Sequence, residues 1–278
     1  MRVLITGGNG KIGRHIVTCV AGAGHELRSL DRALPETRQP CVDYRVGDVT
    51  DMGDVWGAMQ GFRPEAVIHM AAWINPGIVA DHHTYRDNVS GGFNVMTAAA
   101  EIGARRVIQG SSAQVYGFAE NPPLQVPVTE AHALRPLNSY ALSKIANEAT
   151  GRYVSARTDT DVLSFRIMGA RLPESMEAEI AALRADPATG RFLLWTRIDA
   201  RDVAEACLAA IEAGDVPSGE YNITGADILT EEDASTVLQR QWPGLDLSEV
   251  PSGHASPMSC AKARAAFGFA PRHRLRPA

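Results

Sequence analysis

Closely spaced cysteine pairs are missing from this chain. Cys19, Cys41, Cys207 and Cys260 are widely scattered, which leaves no spacing that suggests a zinc site or a redox motif. Free thiols in a reducing cytoplasm are the expectation. Long apolar runs are missing as well, so no bilayer-spanning segment is expected. An excess of positive charge is also absent. Lys and Arg number 27 against 32 Asp and Glu, for a formal net charge of -5, so nothing electrostatic argues for nucleic acid or an anionic membrane as a partner. The short basic stretch Arg272-His273-Arg274-Leu275-Arg276 reads as a solvated terminus. Neither an internal repeat nor a low-complexity segment occurs. A strand pattern starts at Arg2, so no secretory leader is expected.

What is present is alternation. The 278 residues, 45% of them hydrophobic, suffice for one large domain with a smaller appendage. Strand patterns at Arg2-Thr6, Glu26-Leu30, Tyr44-Val46, Ala66-Met70, Arg106-Gln109 and Asp161-Arg166 are separated by helical patterns. The helices are expected over Ile12-Val20, Met52-Met59, Thr84-Ile102 and Ser139-Ala156. Such alternation demands right-handed crossovers and a parallel sheet, hence a doubly wound α/β fold of Rossmann type. After Arg166 the pattern loosens. Helices near Ser175-Arg184, Arg201-Ala213 and Glu231-Arg240, with a strand at Glu220-Ile223, are expected to form a smaller lobe. The division is therefore a cofactor domain over residues 1–166 and a substrate-binding lobe over 167–278, part of which returns to the main sheet. Glu231-Glu232-Asp233 follow Thr230, and they read as the first turn of a capped helix rather than as metal ligands.

Thr6-Gly7-Gly8-Asn9-Gly10-Lys11-Ile12-Gly13 follows the first strand and opens the first helix. Glycine suits each of Gly7, Gly10 and Gly13: a tight turn, close approach to a pyrophosphate, and close packing of helix on sheet. Amides at the helix start, around Lys11 and Ile12, then face the phosphates. Asp31 ends the second strand, 18 positions after Gly13, where an acid bonds the adenosine ribose hydroxyls. A carboxylate there repels a 2'-phosphate, so NAD is expected over NADP. The neighbouring Arg32 could accept that phosphate, which leaves NADP open.

Farther along stand Ser111-Ser112 and Tyr140-Ala141-Leu142-Ser143-Lys144. Tyr140 and Lys144, four residues apart, share a helix face. The ammonium and the positive charge of an oxidised nicotinamide are together expected to lower the phenol's pKa from about 10 towards working pH, as a general base for an alcohol requires. Ser112 would bond the reacting oxygen. Trp73 and Asn75 after the fourth strand, Gln114, Arg171 and Arg197 are candidate substrate contacts, because ligands bind beyond the strands' carboxyl ends. His69 reads as a packed core histidine. His82 and His83, being adjacent, are expected to point apart on a solvated loop.

Together these segments resemble the extended short-chain dehydrogenase/reductase family, in its NAD-dependent epimerase/dehydratase branch. The resemblance extends over Gly47-Asp48-Val49, His69-Met70-Ala71-Ala72, Asn88-Val89, Ser111 to Gly117, Tyr140 to Lys144, Asp202-Val203-Ala204 and Tyr221-Asn222-Ile223. It implies that Asp48 and Val49 contact adenine, that Ala71 and Ala72 line the cofactor channel, and that Asn88 supports the site. It implies a catalytic triad of Ser112, Tyr140 and Lys144, with Lys144 also on the nicotinamide ribose. It further implies a homodimer paired through the helices around Asn88-Ala100 and Tyr140, with Val89, Phe93 and Met96 at spacings that could share a face.

The departures from that family narrow the reaction. Ala113-Gln114 stands where 4,6-dehydratases carry Asp-Glu, and Arg166-Ile167-Met168-Gly169 stands where many nucleotide-sugar epimerases carry Arg-Tyr-Phe-Asn. The stretch from Arg166 to Arg197 is short beside epimerases that wrap a nucleotide. These features favour a smaller substrate, as in uronate-dehydrogenase-like members. The preferred expectation is an NAD-dependent dehydrogenase for a sugar, sugar acid or polyol. A nucleotide-sugar epimerase comes second, and a non-enzymatic cofactor sensor third.

Overall fold

In the computed structural model, residues 1–273 are described; residues 274–278, with the last part of the basic stretch, lie outside the described residues. The strands are β1 (Arg2–Thr6), β2 (Glu26–Asp31), β3 (Val42–Val46), β4 (Ala66–His69), β5 (Arg106–Ser112), β6 (Asp161–Ile167), β7 (Ala170–Arg171), β8 (Ile198–Asp199) and β9 (Gly219–Ile223). The helices are α1 (Gly13–Gly22), α2 (Met52–Met59), α3 (Asp81–Glu101), α4 (Ser139–Ser155), α5 (Met176–Ala185), α6 (Ala200–Glu212), α7 (Ala234–Gln241) and α8 (Ala261–Phe267). Seven strands make one parallel sheet in the order β3-β2-β1-β4-β5-β6-β9. β9 thus returns to the main sheet beside β6. The chain reverses its direction of strand addition between β1 and β4, which opens a crevice at their carboxyl ends.

Strand alternation sorts the apolar residues into two cores. Val3 and Ile5 of β1, Ala66 and Ile68 of β4, and Leu163 and Phe165 of β6 face a layer that includes α1, α6 and α8. Leu4, Val67, Val107 and Val162 face α2, α3 and α4 on the other side. Both faces are covered, which is why these strands read as nearly continuous apolar runs. A third core is shared between the segment after β5, with Tyr116, Phe118 and Val128, and residues after β6, where Trp195 packs on Trp242 with ring centroids 5.9 Å apart.

Local chemistry sets the helix starts. Asp51 caps α2 through the amides of Gly53 and Asp54, and Asn138 caps α4 through that of Ala141. The expected cap at Thr230 does not form. Asp233 caps α7 instead, accepting from the Thr236 amide at 2.8 Å, while Thr230 donates to the Glu232 carbonyl in the preceding turn. His82 and His83 lie in the first turn of α3 rather than on a loop, with rings 4.2 Å apart. Met96 faces the sheet, so it does not share a surface with Phe93; Tyr85, Val89 and Phe93, at intervals of four, form the outer stripe of α3 instead. The start of the basic stretch is anchored: buried Asp202 accepts from the Arg272 and His273 amides and pairs with the His273 ring at 2.7 Å.

Candidate active site

The turn between β1 and α1 depends on two of its glycines. Gly7 has φ +74°, and a Cβ there would lie 2.5 Å from the Ala71 amide nitrogen. A Cβ on Gly13 would collide with the Gly7 carbonyl oxygen. The turn closes through the Gly10 amide on Gly7 O at 3.1 Å and the Arg14 amide on Gly10 O at 3.0 Å. This bare backbone cradle opens into a cleft of about 940 Å³. Gly7, Gly10, Lys11, Ile12, Gly13, Asp31, Arg32, Asp48, Val49, Ala71 and Ala72 all line it.

Asp31 is held by backbone on both oxygens, accepting from the Asn9 amide at 2.9 Å and the Arg32 amide at 2.7 Å. Its position at the end of β2 is therefore fixed. The Arg32 guanidinium lies 4.3 Å over the Trp73 ring, whose Nε1 donates to Asp87 at 2.9 Å. Asn88 braces the same loop: its Oδ1 accepts from the Trp73 amide, and its Nδ2 donates to the Trp73 carbonyl and to Ser143 on α4. The bare cradle, the aligned amides and the fixed carboxylate fit a dinucleotide with free ribose hydroxyls.

At the other end of the cleft β5 ends on Ser112, whose hydroxyl accepts from the Gln114 amide at 3.2 Å. Tyr140, in the first turn of α4, and Lys144, one turn later, line the cleft with it. The Lys144 ammonium lies 5.4 Å from the centre of the Tyr140 ring. Burial dominates both ionisations. It pushes the Tyr140 phenol up to about 12, against the opposing pull of the Ser112 hydroxyl, and the Lys144 ammonium down to about 8, against the pull of Glu148. In the protein by itself burial outweighs the Ser112 hydrogen bond, and the lowering expected of Tyr140 needs the charge of a bound nicotinamide as well. His69 is a core histidine, as expected. Its Nδ1 is 2.7 Å from Thr6 Oγ1, and burial, with Lys144 assisting, lowers it to about 3.

Four of the five candidate substrate contacts line the cleft: Trp73, Asn75, Gln114 and Arg171. Arg197 does not. It is 2% exposed, its Nε donates to Glu179 Oε1 at 2.6 Å, and it lines an adjoining cavity of about 440 Å³. Arg171 pairs with the same Glu179 at 3.1 Å. Glu179, Ser175 and Phe192 also line the main cleft and were not singled out in the sequence. They stand on a short helix and a 3-10 turn with no motif, and only the Glu179 charge at helical spacing from Ser175 and Leu183 offered a signal. Among the described residues, no group of three or more His, Cys, Asp or Glu is placed to hold a metal, and no helix is long and apolar enough to cross a membrane.

The strand-turn-helix cradle and the Ser112-Tyr140-Lys144 wall sit in a region matched, over residues 3–224, by the model of the NAD dependent epimerase/dehydratase family. The chain belongs to that family. A UDP-glucose 4-epimerase from Lacticaseibacillus casei is 30% identical over 153 residues, covering 53% of this chain and 45% of that protein. An NAD-dependent glucose-6-phosphate dehydrogenase from Haloferax volcanii is 32% identical over 179 residues, covering 59% of this chain and 67% of that protein. The chain thus spans less than half the length of the epimerase it matches. Among solved structures, the Bordetella bronchiseptica enzyme WbmG in complex with NAD aligns with 99% of this chain and 90% of its own, at TM-score 0.71 and 25% identity.

Proposed function

We propose that this family member is an NAD-dependent oxidoreductase that interconverts a secondary hydroxyl and a carbonyl on a sugar, sugar acid or related polyol. One observation carries the reading. Ser112, Tyr140 and Lys144 line the same cleft as the glycine cradle, so a dinucleotide anchored there reaches them. NAD, when bound, supplies the hydride acceptor and a positive ring. Ser112 holds the substrate oxygen, and Tyr140 takes its proton. Lys144 binds the ribose beside the reacting ring and offsets the phenolate's charge. Since burial alone raises the Tyr140 phenol, cationic neighbours at the time of reaction must reverse that shift.

Residues 1–166 would hold the cofactor and the reacting groups, and 167–278 would supply the substrate side through Arg171, Ser175, Glu179 and Phe192. Trp73, Asn75 and Gln114 would complete that side, while Arg197 would act only by holding Glu179. NAD is favoured over NADP because the Asp31 carboxylate is fixed in place and Arg32 is engaged with Trp73. Asp48 and Val49 would flank the adenine. A homodimer is supported by the exposed Tyr85 and Phe93, with the half-buried Val89 between them on α3, and the exposed Leu142 and Tyr153 on α4, two helices packed side by side. Four cysteines without disulfides fit a reducing compartment, the cytoplasm.

The match to UDP-glucose 4-epimerases favours a second reading, in which the hydride returns to the opposite face of the sugar and no NADH accumulates. A panel of sugars, sugar acids and UDP-sugars incubated with NAD, followed by NADH absorbance and product stereochemistry, separates the two. NADH formation supports the dehydrogenase. Inverted sugar without NADH supports the epimerase, and neither outcome removes both.

A further inference from the structure

Directly behind Lys144 lies a charged group that the proposed chemistry does not use. Tyr140, Lys144 and Glu148 occupy consecutive turns of one α4 face, each about 6 Å along the axis from the last. The Glu148 carboxylate is fully buried and accepts three hydrogen bonds. Ser111 Oγ donates to Oε1 at 2.6 Å, and Arg166 donates from Nε to Oε1 at 2.9 Å and from Nη2 to Oε2 at 2.8 Å. Arg166 also donates from Nη1 to the Tyr116 hydroxyl at 3.0 Å and to the Glu130 carbonyl at 2.9 Å. Tyr116 donates to Asn222 on β9 at 2.7 Å, and the Asn222 amide donates to Glu130 at 2.7 Å.

We propose that Glu148 is the positioning residue of this site, keeping Lys144 charged and fixing Ser112 through its neighbour Ser111. The proposal rests on the functional reading above. Two features argue for it. The carboxylate joins α4, which carries Tyr140 and Lys144, to the end of β5, which carries Ser112, and to β6. A fully buried ion pair is also a poor way to gain stability, since an apolar pair of similar size does at least as well. Its presence here fits a role in charge and placement.

Burial lowers the Lys144 ammonium to about 8, and Glu148 is the acid that opposes this. The other groups facing Lys144 are Tyr140 from α4 and the neutral His69 from β4; Arg166, Tyr116 and Glu130 reach it only through Glu148. Removing the carboxylate charge should therefore let Lys144 deprotonate at lower pH.

The chain has only three lysines, Lys11, Lys144 and Lys262, so each Cε signal can be assigned in a ¹³C-labelled protein. The test is to follow the Lys144 Cε shift against pH in wild type, Glu148→Gln and Glu148→Asp, with the pH dependence of kcat measured in parallel. The titration of Lys144 should move down in Glu148→Gln and stay near wild type in Glu148→Asp, which keeps the charge. The alkaline fall in kcat should move with it, while KM for NAD changes less than kcat. Should Glu148→Gln leave a stranded Arg166 and fail to fold, Glu148→Gln/Arg166→Gln removes both charges and should lower the Lys144 titration by less, since the nearer carboxylate outweighs the lost Arg166 cation. An unmoved Lys144 titration in either folded variant overturns the proposal, whatever happens to stability. A wild-type protein without NAD-linked turnover would instead overturn the functional reading, and the Lys144 titration would still decide the role of Glu148.

Discussion

At the scale of single residues, desolvation governs the site more than charge pairing does. Lys144 is 6% exposed and Tyr140 8%, so burial shifts each towards its neutral form: the phenol stays protonated until new positive charge arrives, while the ammonium, at about 8, still predominates at neutral pH. Ser112→Ala removes the hydroxyl that would hold the reacting oxygen and should lower kcat about 10²-fold with little change in NAD affinity. Steady-state kinetics beside a cofactor titration would show the split. Lys144→Ala should lower kcat and weaken NAD binding together, because in the proposed chemistry one side chain would serve both the phenol and the ribose. His69 gives a stability prediction. Its pKa is about 3 when folded against 6.5 in the open chain. Below about pH 6.5 the unfolded chain takes up a proton that the native state refuses, so this contribution to stability is full above that pH and is lost as pH falls towards 3. Denaturant midpoints measured across that window should fall less steeply in His69→Gln. The residues visible in the sequence were those whose type and spacing encode a turn or a helix face: Gly7, Gly13, Asp31, Ser112, Tyr140 and Lys144. Glu148 and Arg166 lie in different elements, 18 positions apart, and only the packing of α4 on β6 brings them together.

At the scale of elements, the sequence showed what periodicity can show. All six strands expected before α5 form, their ends shifted by up to three residues, because strands buried on both faces stand out between polar turns. The two-residue strands β7 and β8 and the seven-residue α8 are too short to carry a period. α8 is placed by its tertiary partners, with Phe267 stacked on Phe165 at 5.6 Å. The cap of α7 was misplaced for a similar reason: Thr230 and Asp233 both precede helix-forming residues, and only the backbone path shows which one faces the free amides. The turn before α1 is the element with least tolerance. Gly13→Ala forces a methyl onto the Gly7 carbonyl and should open the cradle. NADH affinity, read by fluorescence titration, should fall at least about tenfold, or about 1.4 kcal/mol. Unchanged affinity in a folded variant would mean that the pyrophosphate site lies elsewhere.

At the scale of the whole molecule, the sheet order places the glycine cradle and the Tyr140 wall at the carboxyl ends of β1, β4 and β5, and Arg171, Glu179 and Phe192, from the chain after β6, line the same cleft. Assembly adds a further expectation. The exposed Phe93, Leu142 and Tyr153 on α3 and α4 should be covered in a two-fold dimer, giving a solution mass about twice 29.8 kDa. Phe93→Asp should shift that mass to a monomer in sedimentation. The central claim is that Tyr140 takes the substrate's proton in an NAD-linked oxidation. It is tested most directly by comparing wild type with Tyr140→Phe, measuring NADH formation on the best sugar substrate and NAD affinity in the same samples. Turnover should fall 10²–10⁴-fold in the variant while NAD binds about as well as before. Wild-type turnover by Tyr140→Phe would contradict the claim.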